Sequence, residues 1–296
     1  MTQSPTKYGI LTGVDGSPAA EAAVAWAARE AVNRHEHLTL AHVAQPVSLE
    51  WPPPLHGTQN EISRWQDDNA QQVIEQARRS VAAATGASQA VEVRTLALRS
   101  NVVAALVDAS REASMIVVGS RGGTSLGRLL LGSVSAGLLH HAYCPVVVAH
   151  AGDGPPPGPD APVLLGVDGS PVSEAATAWA FDAASRRNAP LLVLHAWSDV
   201  RTVPLLDRAW DSYESQGDQV LAERLAGWQE RYPDVHITRR LVRDAPARWL
   251  LEESERAQLV VVGSRGRGGF SGMLLGSVSS EVAQTAAAPV AVVRPR

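Results

Sequence analysis

The hexapeptide GVDGSP at residues 13–18 occurs a second time at residues 166–171, an offset of 153. A second hexapeptide, VVGSRG at 117–122, returns at 261–266 with an offset of 144. The first half therefore carries 153 − 144 = 9 additional residues between the two motifs. We expect that surplus in the turn-rich stretch WPPPLHG at 51–57. The chain consists of two copies of one domain.

Between the copies, residues 151–162 read AGDGPPPGPDAP, with five prolines and three glycines. This composition is unsuited to a helix or a central strand and is typical of a semi-stiff linker. The length of 296 residues also suits two domains of about 150 each. We predict one domain over residues 1–150 and a second over 163–296.

The composition, 45% apolar and 19% charged, is that of a folded globular protein. The formal net charge is −4, which argues against a protein that binds polyanions through bulk positive charge. The one cysteine, Cys144, forms no disulfide within the chain and no cysteine-based metal site, which favours a reducing compartment. The sequence has no apolar run of membrane-spanning length and no secretory signal, so a cytoplasmic location is expected.

Short apolar, β-branched runs alternate with longer amphipathic segments throughout both halves. Strands are predicted over 9–15, 38–43, 91–98, 114–119 and 145–150, and over 163–168, 190–197, 236–242, 258–263 and 289–294. Ser17-Pro18 and Ser170-Pro171 each provide a hydroxyl N-cap followed by a proline suited to the first helical position. This alternation predicts the doubly wound α/β class, with a parallel sheet covered by helices on both faces.

Ligands of such sheets bind beyond the carboxyl ends of the strands. There the pattern G-x2-G-x9-G-S occurs twice, starting at Gly119 and at Gly263. Its first glycines allow the backbone to approach a ligand closely. Ser133 is suited to be the N-cap of the next helix, whose N–H donors and positive dipole end attract phosphate, and Ser135 adds a hydroxyl donor. The pattern predicts a phosphate site in each half.

Asp15 and Asp168 follow the first strand of each half. A carboxylate beside phosphate is suited to a ribose hydroxyl or to Mg²⁺, and capping of the following turn is the alternative. His42 and His195 are interpreted as packing or supporting groups rather than catalysts. Arg265, like Arg121 in the first half, is either a phosphate ligand or a solvated loop charge.

These motifs resemble the universal stress protein family, and specifically its ATP-binding branch, over essentially the whole chain as a tandem of two domains. The resemblance implies five-stranded sheets of order 3-2-1-4-5, ATP, and possible Mg²⁺ bound by Asp15 or Asp168. The nucleotide contacts that it implies in the first half are Gly13, Val14, Asp15, Val43, Gly119, Arg121, Gly122, Gly132, Ser133, Val134 and Ser135. In the second half they are Gly166, Val167, Asp168, Ala196, Gly263, Arg265, Gly266, Gly276, Ser277, Val278 and Ser279. Among these, Val43 and Ala196 are the adenine contacts. Thr124 and Gly127 depart from the family's usual glycine-rich loop.

The leading functional hypothesis is a nucleotide-dependent regulatory protein of the stress response, with one nucleotide per half and little turnover. A slow ATP hydrolase and a sensor of AMP or a cyclic nucleotide are the alternatives, and a chaperone-like protein would leave the glycine motifs unexplained. The sequence has no G-x4-G-K-(S/T) loop, and no catalytic residue is identified. Whether the chain is an enzyme stays open at this stage.

The last predicted strand of each half, 145–150 and 289–294, is apolar and would lie at a sheet edge. Exposed apolar edges are normally paired or covered. We therefore expect the two halves to pair as an intramolecular pseudo-dimer, and the whole chain to form a homodimer. Nucleic acid and membranes are not expected as partners.

Overall fold

The structure is a computed structural model that describes residues 6–46, 59–86, 90–120, 131–150, 157–158, 160–197, 210–266 and 274–295. The chain divides into two compact units, Met1–Ala151 and Gly152–Arg296, which we call the first and the second unit. The predicted linker 151–162 lies largely outside the described residues. Its role as the boundary between domains stays a prediction.

Strands and helices alternate along the first unit. Its elements are β1 (Ile10–Gly13), α1 (Pro18–Arg34), β2 (Leu38–Ala44), α2 (Gln59–Thr85), β3 (Val93–Arg99), α3 (Val102–Ala109), β4 (Met115–Gly119), α4 (Ser133–His141) and β5 (Val146–Ala149). The strands lie in the order β3-β2-β1-β4-β5. Every neighbouring pair in this series is parallel.

The second unit repeats this series of elements. They are β6 (Val163–Val167), α5 (Pro171–Arg187), β7 (Leu191–Trp197), α6 (Trp210–Arg231), β8 (Ile237–Arg243), α7 (Pro246–Ser254), β9 (Leu259–Gly263), α8 (Ser277–Thr285) and β10 (Val290–Val293). The order β8-β7-β6-β9-β10 matches that of the first unit, again with parallel pairs. The predicted strands, the strand order and the doubly wound α/β class are confirmed.

The helix after the first strand of each unit begins as the sequence predicts. Ser17 caps α1 by accepting a hydrogen bond from Ala20 N at 3.2 Å, and Pro18 is the first helical residue. Ser170 caps α5 in the same way, ahead of Pro171. Because the cap satisfies one backbone N–H and the proline needs none, both helices start at a fixed residue.

Side chains of the central strands form the core of each unit. Ile10, Leu11, Val117 and Val147 of the first unit are completely buried. Such strands are covered on both faces, which explains their near-continuous apolar sequence. The Cys144 thiol is also buried, at 3% exposure, as expected of a small apolar side chain.

The nine additional residues of the first unit are expected in 51–57, which lie outside the described residues, so their location stays a prediction. Helix α2 has 27 described residues and its counterpart α6 has 22. Among the described residues, no helix is long and apolar enough to span a membrane.

Candidate functional site

Each unit holds its aspartate in a tight turn at the end of its first strand. Asp15 Oδ1 accepts a hydrogen bond from Ser17 N at 2.9 Å, and Asp168 Oδ1 accepts one from Ser170 N at the same distance. The glycine between, Gly16, has a φ of +80°, a conformation that favours glycine. The turn-capping interpretation of both aspartates is therefore correct.

A histidine supports the residue before each aspartate. His42 Nδ1 lies 2.9 Å from Val14 O, and His195 Nδ1 lies 2.7 Å from Val167 O. A carbonyl only accepts, so the ring nitrogen donates. Val14 also donates its N–H to Ala41 O at 2.9 Å, which means that both backbone polar groups of Val14 bond within the protein. The histidines thus position the strand end, as the sequence interpretation held.

A helix begins beside this strand end in each unit. The N-cap of α4 is Gly132 and that of α8 is Gly276, so the expectation that Ser133 is the N-cap is wrong by one residue. No side chain caps either first turn within the described residues. Ser133 and its counterpart Ser277 are exposed first helical residues. A glycine cap leaves the first N–H groups facing outward, which suits an anion.

The second serine of each helix has a structural role. Ser135 Oγ donates to Gly119 O at 2.6 Å, and Ser279 Oγ donates to Gly263 O at 2.5 Å. Both serines are buried, at 3% and 5% exposure. Since a hydroxyl has one proton to donate, the expected hydroxyl contact from Ser135 to phosphate is not available in this arrangement. These hydrogen bonds instead fasten the helix start to the strand that precedes it.

Gly119 ends β4 against helix α1. A Cβ at this position would collide with the Ala19 carbonyl oxygen and would lie 2.8 Å from Ala19 Cβ. The missing Cβ of Gly119 therefore admits the α1 backbone, and the contact of Gly119 with a ligand stays a prediction. At the counterpart Gly263 a Cβ would lie 3.1 Å from Val172 Cγ1, a side-chain contact that can adjust.

Gly266, the second glycine of the motif in the second unit, lies beside the Asp168 carboxylate. A Cβ on Gly266 would collide with Asp168 Oδ2, and a Cβ on Gly276 would lie 3.5 Å from Arg265 Cα. The chain of contacts from Asp168 through residues 265–266 to Gly276 places the carboxylate, the loop and the start of α8 at one edge of the sheet. In the first unit, the corresponding Arg121 and Gly122 lie outside the described residues.

Two arginines add positive charge to this edge. Arg265 is exposed, and Arg294, which follows β10, is half-buried. Burial and the nearby charge of Arg265 lower the pKa of the Arg294 guanidinium below its usual value. Sequence reasoning missed Arg294, although the offset of 144 would have paired it with His150 and shown the difference in charge.

With this geometry, the comparisons with known proteins decide the family. Residues 9–150 and 161–294 both match the model of the universal stress protein family. The chain belongs to the universal stress protein family. A universal stress protein of Mycolicibacterium smegmatis is 54% identical over 297 residues, which is 100% of each chain. The predicted family and its tandem arrangement are confirmed.

A solved structure of the full tandem agrees with this fold. The crystal structure of a universal stress protein from Archaeoglobus fulgidus covers 97% of this chain and 98% of its own, with a TM-score of 0.71 at 22% identity. A universal stress protein solved in complex with cAMP matches 48% of this chain and 97% of its own, with a TM-score of 0.37 at 23% identity.

In this universal stress protein, the residues expected at adenine end the second strand of each unit. Val43 lies opposite Leu98 of β3, and Ala196 lies opposite Val242 of β8. Both are half-buried at the same edge as the aspartates. Gly13 and Gly166, by contrast, face helices α3 and α7, because a Cβ there would meet Leu106 and Leu250. Their contribution is the close approach of helix to sheet.

Metal binding depends on how many ligands the protein supplies. Within the described ranges, no group of three or more His, Cys, Asp and Glu side chains is arranged to hold a metal ion. Among the residues that the structure describes, the carboxylate at each site is that of Asp15 or Asp168. One carboxylate fits Mg²⁺ that takes its remaining ligands from phosphate oxygens and water.

Proposed function

We propose that each unit binds one ATP, with Mg²⁺ shared between the phosphates and the aspartate, and that occupancy regulates the protein with little hydrolysis. In this arrangement the N–H groups at the start of α4 or α8 receive the phosphates. Asp15 or Asp168 binds the ribose or the metal ion, and Val43 or Ala196 lies beside the adenine.

One observation carries the proposal. The contacts that join Asp168, Gly266, Arg265 and Gly276 bring a carboxylate, a cation and a helix N-terminus to one edge. The carboxylate suits a metal ion or a ribose hydroxyl, and the arginine suits the negative charge of phosphate. The N–H groups at the helix N-terminus suit the phosphate oxygens. The first unit repeats the aspartate turn, its histidine support and the glycine-capped helix.

Little turnover is expected because the chain has few groups for phosphoryl transfer. Lys7 is the single lysine of the sequence, so no lysine can lie in either phosphate segment. Its Nζ lies 3.3 Å from Glu112 Oε1, ahead of β1. Fast NTPases commonly place a lysine on the β- and γ-phosphates.

The direct test is to purify the protein from cells, denature it and identify released nucleotides by mass spectrometry. We expect ATP, at up to two per chain. Recovery of AMP or a cyclic nucleotide instead would replace ATP as the ligand, and a folded protein that binds none of them in titration would contradict the proposal. Phosphate released from added ATP within minutes would establish the hydrolase alternative.

Gly266→Ala tests the loop itself. The added methyl would displace the Asp168 carboxylate, so ATP binding in the second unit should weaken by about tenfold or more, as loss of a charged contact does. Gly227→Ala is the matched control, because a Cβ there meets nothing within 4 Å. Equal affinities of the two variants would show that residues 265–266 are not part of the site.

A further inference from the structure

The two units differ at the residue that follows their last strand. His150 follows β5, whereas Arg294 follows β10, and the positions are related by the offset of 144 that relates the two glycine motifs. Both side chains are half-buried. The second unit therefore has a guanidinium where the first has an imidazole.

The strand register places Arg294 at the edge of the sheet where helix α8 begins. Val293 lies opposite Gly263, and Ser264 N donates to Val293 O at 2.7 Å. Arg294 thus leaves the sheet beside Ser264 and Arg265, next to the start of α8. The first unit has the same backbone arrangement, with Ser120 N donating to Ala149 O at 2.9 Å, and it leads to His150.

The charge of Arg294 acts on this same edge. Burial, and after it the repulsion from the charge of Arg265, lower the pKa of the Arg294 guanidinium. Like charges held near each other create a local positive potential that an anion relieves. Along the sequence, the motif segments of both halves have two arginines each, Arg121 with Arg128 and Arg265 with Arg267. The two motif segments therefore have equal numbers of arginines, whereas the residue after the last strand differs between the units.

We propose that Arg294 contacts the outer phosphates of the nucleotide and makes the second unit prefer a nucleoside triphosphate over a monophosphate more strongly than the first. The inference rests on the proposed function. A monophosphate ends at the helix N-terminus, whereas a triphosphate extends further and carries more negative charge. The planar guanidinium of Arg294 can donate two hydrogen bonds to such a phosphate group.

The test measures ATP and AMP affinities at one site at a time in the full chain. Ser133→Asp blocks the first site, because a carboxylate at an exposed helix start suits the helix but repels phosphate. Ser277→Asp blocks the second site for the same reason. Arg294→His is then made in the first background and His150→Arg in the second, and each is titrated by calorimetry with ATP and AMP.

We expect Arg294→His to weaken ATP binding by about tenfold and to leave AMP binding within a factor of about two. His150→Arg should strengthen ATP binding at the first site with little effect on AMP. Arg294→Lys keeps the charge and should retain most of the preference, which separates loss of charge from loss of folding. An ATP to AMP ratio that Arg294→His leaves unchanged overturns the inference. Failure of the unmodified chain to bind either nucleotide overturns the proposed function, and the inference with it.

Discussion

Asn101 caps helix α3 of the first unit by accepting a hydrogen bond from Ala104 N at 3.1 Å, whereas its counterpart Ala245 caps α7 with no side-chain bond. Ala245 and the preceding Asp244 also have left-handed backbones, with φ of 45° and 46°. The aspartate turns and glycine-capped helices, by contrast, are alike in both units. Residues shared by the copies thus build the aspartate turn and the helix start, and residues that differ, such as Asn101 and Ala245, change the cap of the corresponding helix.

The largest effect on this comparison is expected from a pair of glycine substitutions. Gly119→Ala forces a methyl group onto the α1 backbone and should lower the free energy of unfolding by about 3 kcal/mol. Gly263→Ala meets mainly the Val172 side chain and should cost about 1 kcal/mol. Urea unfolding followed by circular dichroism measures both. Equal losses of unfolding free energy would show that β4 packs against α1 in the same way as β9 packs against α5.

Substitutions at the two helix caps should change the stability of the protein by an intermediate amount, with opposite sign in the two units. Asn101→Ala removes a cap and should destabilise by about 1 kcal/mol. Ala245→Asn should stabilise by about 0.5–1 kcal/mol, because asparagine tolerates the left-handed conformation better than alanine. Thermal unfolding of the two variants compares them. If Ala245→Asn also lowers the melting temperature, the left-handed backbone is not a source of strain.

An effect similar in size to that of the caps is expected at the centre of the first unit's sheet. Thr12 is completely buried, and its hydroxyl has no hydrogen-bond partner within the described residues. The corresponding residue of the second unit is Leu165, also completely buried. Thr12→Val keeps the shape and removes the buried hydroxyl, so it should stabilise by about 1 kcal/mol. A loss of stability in chemical denaturation would mean that the hydroxyl has a partner after all.

The repeat and the alternation of strands with amphipathic segments predict the fold, because each strand of a parallel sheet is covered on both faces and reads as an apolar run. The serine caps could also be predicted, since a hydroxyl residue directly before a proline, as at Ser17-Pro18, is typical of a helix N-terminus. Sequence could not show that the space left by Gly119 admits the α1 backbone, because that contact depends on the position of Ala19, a hundred residues earlier in the chain.

The site itself was predictable in outline only. The spacing of the glycine motif identified the helix start, but the hydroxyl of Ser135 is used by Gly119 O, a contact that depends on tertiary packing. Arg294 lies outside any motif, and its place at the edge follows from strand register rather than from spacing. Side chains brought in by neighbouring strands are the part of a site that a motif omits.

Whether each unit binds one nucleotide is decided by titrating the full chain with ATP in the presence of Mg²⁺, with Ser133→Asp and Ser277→Asp as single-site variants. We expect two nucleotides bound per chain in the unmodified protein and one in each variant, with circular dichroism unchanged. Two bound nucleotides in either variant, or no binding heat from the unmodified chain, would contradict this expectation.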